Sequence, residues 1–168
     1  MVPTCKYIVW DLLLYIILGN MALENTPGQQ ILLNLLDAFN KDTQTVLSLF
    51  DPTATVEYPY AKSIGSAYRL TMDDYRRHLD NILPDMPDII FSELNVYPLA
   101  EQDSYWAEFH GETTVPATGD LYQQDYVVHF RLESGKFIYY KEYWNVLPVL
   151  KTLMGKDKAQ QIIDNHLS

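Results

Sequence analysis

Thiols and cations are what this sequence has least of. A single cysteine, Cys5, stands among 168 residues, so no internal disulfide can form and no thiolate metal set exists. That suits a reducing compartment, and a cytoplasmic location is the expectation. Lys and Arg number 12 against 22 Asp and Glu, a formal charge of -10. Phosphate backbones and anionic membrane surfaces attract basic patches, which argues against nucleic acid and acidic lipid as partners. Small molecules and further copies of the chain remain. Glycine is scarce too, at seven residues, and none belongs to a phosphate loop, nucleophile elbow or dinucleotide fingerprint. Nucleotide cofactors and covalent serine chemistry are therefore disfavoured, and no cofactor and no metal is expected.

The sequence also lacks a hydrophobic run of membrane-spanning length. The apolar stretch from Tyr7 to Leu18 is interrupted by Asp11 and falls short of the roughly 20 residues that a bilayer helix needs. "KYIVWDLLLYIILGNMA" admits three readings: residues ahead of a start at Met21, an amphipathic helix packed on the domain, or a secretory signal core. Residues 1–25 are accordingly set apart as an extension, and 26–168 as one domain, the chain being long enough for one sizeable core and short for two.

What is present is hydrophobic periodicity. Ile31, Leu32, Leu35, Leu36 and Phe39 recur at helical spacing from Gln29 to Phe39. A short helix from Asp42 to Ser48 follows, closed by Asp51 and Pro52. "ATVEYPY" predicts a strand ended by Pro59, and Thr71 caps a helix over "TMDDYRRHLDNIL". Beyond Pro87 aromatic and β-branched residues alternate with polar ones in four strands, 89–97, 104–116, 121–132 and 136–146. The turns between them are "AEQD", "ATGD" and "ESG". Helices are expected over 148–154 and 157–166. This is an α+β layout, with a curved antiparallel sheet wrapped around helices and room for a cavity between them.

"YYKEYWNVLPVL" then raises the functional question. On the last strand Tyr140, Glu142 and Trp144 share a face, putting a carboxylate between two aromatics. In an aromatic pocket it loses hydration and its pKa rises toward neutrality, as a general acid or base needs. The plain alternative is an acid paired with a lysine or hydroxyl in a buried network. His110 with Glu108 and Glu112 does not make a metal site, because alternate residues on one strand lie roughly 7 Å apart and converge poorly on an ion.

The element order, with "LFDPTATVEYPYA" and above all "ESGKFIYYKEYWNVLPVL", resembles the SnoaL-like branch of the nuclear-transport-factor-2-like superfamily. Its cone-shaped fold is shared by ketosteroid isomerase, SnoaL, scytalone dehydratase and the phenazine proteins PhzA and PhzB. The resemblance implies that Tyr140, Glu142 and Trp144 point into the cone. With the parity extended across the sheet, Asp125, Val127, His129, Phe109 and Gly111 join them. Trp106, Tyr122, Tyr126, Phe130, Tyr139 and Tyr143 are left to an outer face that forms a homodimer. Glu142 matches the phenazine proteins' proton-carrying acid. Tyr58, however, stands where ketosteroid isomerase has its general base, so steroid isomerisation is not implied. The expectation is a cofactor-free isomerase, cyclase or dehydratase acting on a small apolar carbonyl or polyketide-like compound. Glu142, His129 and Asp125 would be catalytic, and Tyr58, Tyr140, Trp144, Phe109 and Val127 would contact substrate. The alternative is a non-catalytic ligand-binding or dimerisation module.

Overall fold

The computed structural model describes residues 25–167; the readings of the apolar stretch around Tyr7–Leu18 lie outside them. Helix α1 spans Pro27–Phe39, and its start is set by Thr26, whose hydroxyl accepts from the Gln29 amide at 3.1 Å, with Pro27 at the first turn. Helix α2, Thr43–Ser48, is capped in the same way by Asp42. Helix α3, Met72–Ile82, opens on a reciprocal box between Thr71 and Asp74. The C-terminal helices are α4, Val146–Thr152, and α5, Lys156–Leu167. Asn145 caps α4 through the Leu147 amide, and Pro148 sits inside the first turn, where no amide is needed. The helix therefore begins before the proline that seemed to open it. Among the described residues no helix is long and apolar enough to cross a membrane.

Six strands form one curved, unclosed sheet: β1 Phe50–Glu57, β2 Arg69–Leu70, β3 Ile90–Pro98, β4 Ser104–Thr114, β5 Leu121–Glu133 and β6 Lys136–Trp144. Their order is β2-β1-β6-β5-β4-β3. The last four make the expected antiparallel meander. β1 departs from it by running parallel to β6, so the sheet is mixed. β1 also begins at Phe50, ahead of Asp51 and Pro52. Its pairing with β6 is broken between Phe50 and Thr55, and a proline is harmless where no ladder hydrogen bond is asked of it.

The inner face of the sheet and the apolar face of α1 share one core, in which Leu32, Leu35, Val56, Val128, Phe130, Phe137 and Tyr140 are inaccessible to solvent. The packing is tight enough to fix a glycine. A methyl group on Gly28 would overlap the Tyr105 ring. Gly28→Ala, which in an exposed helix gains about 1 kcal/mol, should here lose roughly 1–3 kcal/mol to overpacking, as read by urea denaturation.

Candidate functional site

A cavity of about 550 Å³ lies between the inner face of the sheet, α3 and the two C-terminal helices. Its inner wall is aromatic: Tyr58 just beyond β1, Phe91 on β3, Phe109 on β4, Tyr126 on β5 and Trp144 on β6. Glu142 opens into it from β6. Each of these directions follows from strand pairing, because residues directly opposite in an antiparallel pair share a face. Val128 pairs with Glu142 and Tyr126 with Trp144; Phe109 pairs with Tyr126.

Glu142 is enclosed by protein apart from the side it turns to the cavity. Burial pushes its pKa up to about 7, against a smaller opposing effect from Tyr140, whose hydroxyl donates to Oε2 at 2.8 Å. Among the described residues no Lys or Arg bonds to it. Tyr58 and Tyr126 are held as neutral phenols, chiefly by burial and further by the Glu142 charge. The Tyr126 hydroxyl lies 3.2 Å from that of Tyr122, which Gln124 contacts at 3.4 Å while also bonding the backbone of Asn145. The solvent side of the cavity carries exposed Ser66, His78, Asp85 and Lys158. His78 leans on Tyr58 and Tyr75, with ring centroids 5.3 and 6.4 Å away. The surrounding wall lowers its pKa, although its ring keeps open surface that limits the effect.

The Tyr75 hydroxyl is buried without a hydrogen bond of ordinary length, though Tyr58 is near enough for the two phenols to influence each other. An unsatisfied hydroxyl contributes nothing to folding. Tyr75→Phe is therefore expected to leave stability unchanged or raise it by up to about 1 kcal/mol. A thermal melt showing a larger loss would mean that the hydroxyl has a partner.

A more deeply buried carboxylate supplies the contrast. Glu57, on the outer face, accepts from the Tyr139 hydroxyl at 2.9 Å and from Arg69 Nε at 2.9 Å, with Lys141 Nζ at 3.5 Å. Burial acts to raise its pKa, but these partners outweigh burial and hold it below the ordinary value. One buried acid is thus fully compensated by cations and the other is left to its solvation loss.

Of the residues singled out from sequence, Glu142, Trp144, Tyr58 and Phe109 line the cavity, and Tyr140 stands behind them as donor to Glu142. Asp125, Val127 and His129 do not join them. All three lie on the opposite face of β5. Asp125, 91% exposed in its side chain, bonds His110 Nδ1 at 2.7 Å. Val127 pairs with Tyr143, and His129 Nε2 meets the Ser104 hydroxyl at 3.1 Å, with Trp106 and Tyr139 beside it. Burial and the charges of Lys141 and Arg131 lower the His129 pKa. Tyr122, Tyr126 and Phe130, expected outside, point inward and are buried. The cause is one residue. At the Ser134–Gly135 turn Glu133 pairs with Lys136 and Leu132 with Phe137, a register that would set Val127 opposite Glu142. An extra residue, Ile138, then bulges, so that Arg131 pairs with Tyr139 and Val128 with Glu142. Tyr126 and Tyr122 were missed for this reason. His78 is a further cavity residue to which the sequence reading assigns no role, and its place two turns into a capped helix was the signal for it.

Comparison with known proteins agrees with this fold. The chain is 28% identical over 124 residues to an uncharacterized PhzA/B-like protein of Pseudomonas aeruginosa, covering 74% of this chain and 87% of that protein. It is 30% identical over 119 residues to the uncharacterized protein YesE of Bacillus subtilis, covering 68% and 78%. Among solved structures, a phenazine biosynthesis-related protein from Pseudomonas aeruginosa superposes with a TM-score of 0.64 at 19% identity, covering 80% of this chain and 85% of its own; this likeness is one of fold. The family profile described as the SnoaL-like domain matches residues 32–140, from inside α1 to the tyrosine that bonds Glu142, and the chain belongs to that family.

Proposed function

We propose that this protein is a cofactor-independent isomerase, cyclase or dehydratase that moves a proton on a small, largely apolar carbonyl compound. The observation that carries the reading is Glu142: a carboxyl facing a mainly aromatic cavity, with burial pushing its pKa up to about 7. Such a group takes and returns protons near neutral pH, where an ordinary carboxylate is too weak a base and rarely protonated. Phenol hydroxyls share its cavity. Tyr58 and Tyr126 stay protonated and are able to donate a hydrogen bond to an oxygen that gains charge as the substrate's α-proton leaves. The substrate's apolar body would lie along Phe109 and Trp144. We also place the homodimer contact on the outer face, where Trp106, Tyr139 and Tyr143 are half-buried.

A specific observation favours a second reading, a binding module without turnover. His129 and Asp125, which would have supplied further proton-transfer groups, are on the far side of the sheet, so that among the described residues Glu142 has phenols for company in the cavity's inner half, with His78 at its solvent side. Hydrogen–deuterium exchange separates the two readings without a known product. A panel of small enolisable ketones and polyketide-like compounds is incubated with the protein in D₂O and followed by NMR. The enzyme reading expects accelerated exchange at the carbon next to the carbonyl for at least one compound, rising as pH passes about 7. Saturable binding of panel members with no exchange would establish the binding module instead.

A further inference from the structure

We propose that the cavity also receives organic amines: an alkylated ammonium group seats against the Glu142 carboxylate, with the aromatic inner wall around it. The inference goes beyond the proton-transfer reading and does not rest on it, since a chain that binds the amine without turning it over satisfies it.

The argument starts from charge. Among the described residues Glu57 is buried and Glu142 half-buried at the cavity wall, and Glu57 has Arg69 and Lys141 on it. Among the described residues Glu142 has no cation bonded to it, only the Tyr140 hydroxyl. A carboxylate largely removed from water without a counter-charge is an incomplete arrangement, and the side that lacks a partner is the side open to the cavity. The groups facing Glu142 have been named for each element: Tyr140 on its own strand, Tyr58 beyond β1, Tyr75 and His78 on α3, Tyr122 and Tyr126 on β5, Asp85 after α3 and Lys158 on α5. Five are neutral phenols. The charged or chargeable remainder, His78, Asp85 and Lys158, are exposed and belong to the solvent side. Among the described residues the inner half of the cavity therefore has one formal charge, and it is negative.

The wall decides which cation fits. A metal ion needs several oxygen donors, and among the described residues no group of three or more His, Cys, Asp or Glu is arranged to hold one. A primary ammonium is strongly hydrated and would leave water for few acceptors. An alkylated ammonium sheds its hydration readily and gains from aromatic surfaces, and Tyr58, Tyr126, Phe109 and Trp144 supply them around one carboxylate. Carboxylates and phosphates find no cation at that depth.

Benzyltrimethylammonium is the probe, because its charge is fixed at every pH, and neopentylbenzene is its neutral carbon isostere. Binding to the full chain is followed by tryptophan fluorescence and calorimetry. The ammonium compound is expected to bind at least about tenfold more tightly than the isostere at pH 8 and to weaken about tenfold or more by pH 5.5 as the carboxylate takes up its proton. The isostere should show no such change. Glu142→Gln should remove the preference for the cation, whereas His78→Gln should keep the pH dependence and Asp85→Asn the preference. Equal affinity for the two compounds, no binding of the ammonium compound at millimolar concentration, or a preference that survives Glu142→Gln would each overturn the proposal. So would loss of the preference in Asp85→Asn alone, which would put the ammonium at the entrance. A folded control is available within the set, since the thermal melt of Glu142→Gln is expected to be no lower than that of the parent.

Discussion

Glu142→Gln should stabilise this protein, by an amount that grows with pH. The native carboxyl keeps its proton up to about 7, whereas the unfolded chain releases it near the ordinary 4.5. Between those values the native state holds a proton that the unfolded state has lost, so the parent protein loses stability as pH rises through the window. A folded-state pKa raised by burial gives a contribution that is fully present below 4.5 and exhausted above 7. The displacement corresponds to about 3 kcal/mol, reduced to the extent that the cavity admits water. Glutamine keeps the shape, still accepts from the Tyr140 hydroxyl and never ionises. The two proteins should melt together near pH 4, and by pH 8 the variant should melt roughly 5–10 °C higher. Parallel pH dependence in both would mean that Glu142 is ionised and solvated throughout, and the proton-carrier reading would fall with it.

The same substitution should reduce turnover of any accepted substrate by about 10²–10⁴-fold, the range over which a positioned general base acts. Stability and activity are thus expected to move in opposite directions, as they do where a site holds a group in an unfavourable state for use. In the parent the base is the ionised form, so kcat/KM should rise with pH and level off above about 7. Glu142→Gln should remove both the rate and the inflection. A variant that keeps the inflection would transfer the titration to His78, the other cavity group whose ordinary pKa lies nearby.

Much of this was legible in the chain. Thr71 with Asp74, and the periodicity of Ile31, Leu32, Leu35 and Leu36, announced their helices because caps and hydrophobic spacing are local. "ESG" announced its hairpin for the same reason, and Ser134 and Gly135 do both take positive φ. Glu142 between Tyr140 and Trp144 marked the centre of the site. What the chain did not disclose was facing across strands. Both faces of β5 mix aromatic and polar residues, so composition cannot say that Tyr126 is inside and Asp125 outside. The decision rests on how β5 meets β6, and Ile138 carries no local sign that it will bulge. Glu57 was hidden in the same way: its cations come from two other strands, β2 and the sequence-distant β6, and meet it only through strand pairing.

That bulge bears on how such a site tolerates change in chain length. Removing Ile138 would join two stretches that already face correctly, for Leu132 would still pair with Phe137 and Val128 with the glutamate. Removing a residue between Tyr140 and Trp144 has no such slack to draw on and would turn part of the carboxylate's wall toward the other side of the sheet. Single-residue deletions along β6 should therefore divide sharply, with position 138 the gap at which a lineage can gain or lose a residue and keep its pocket.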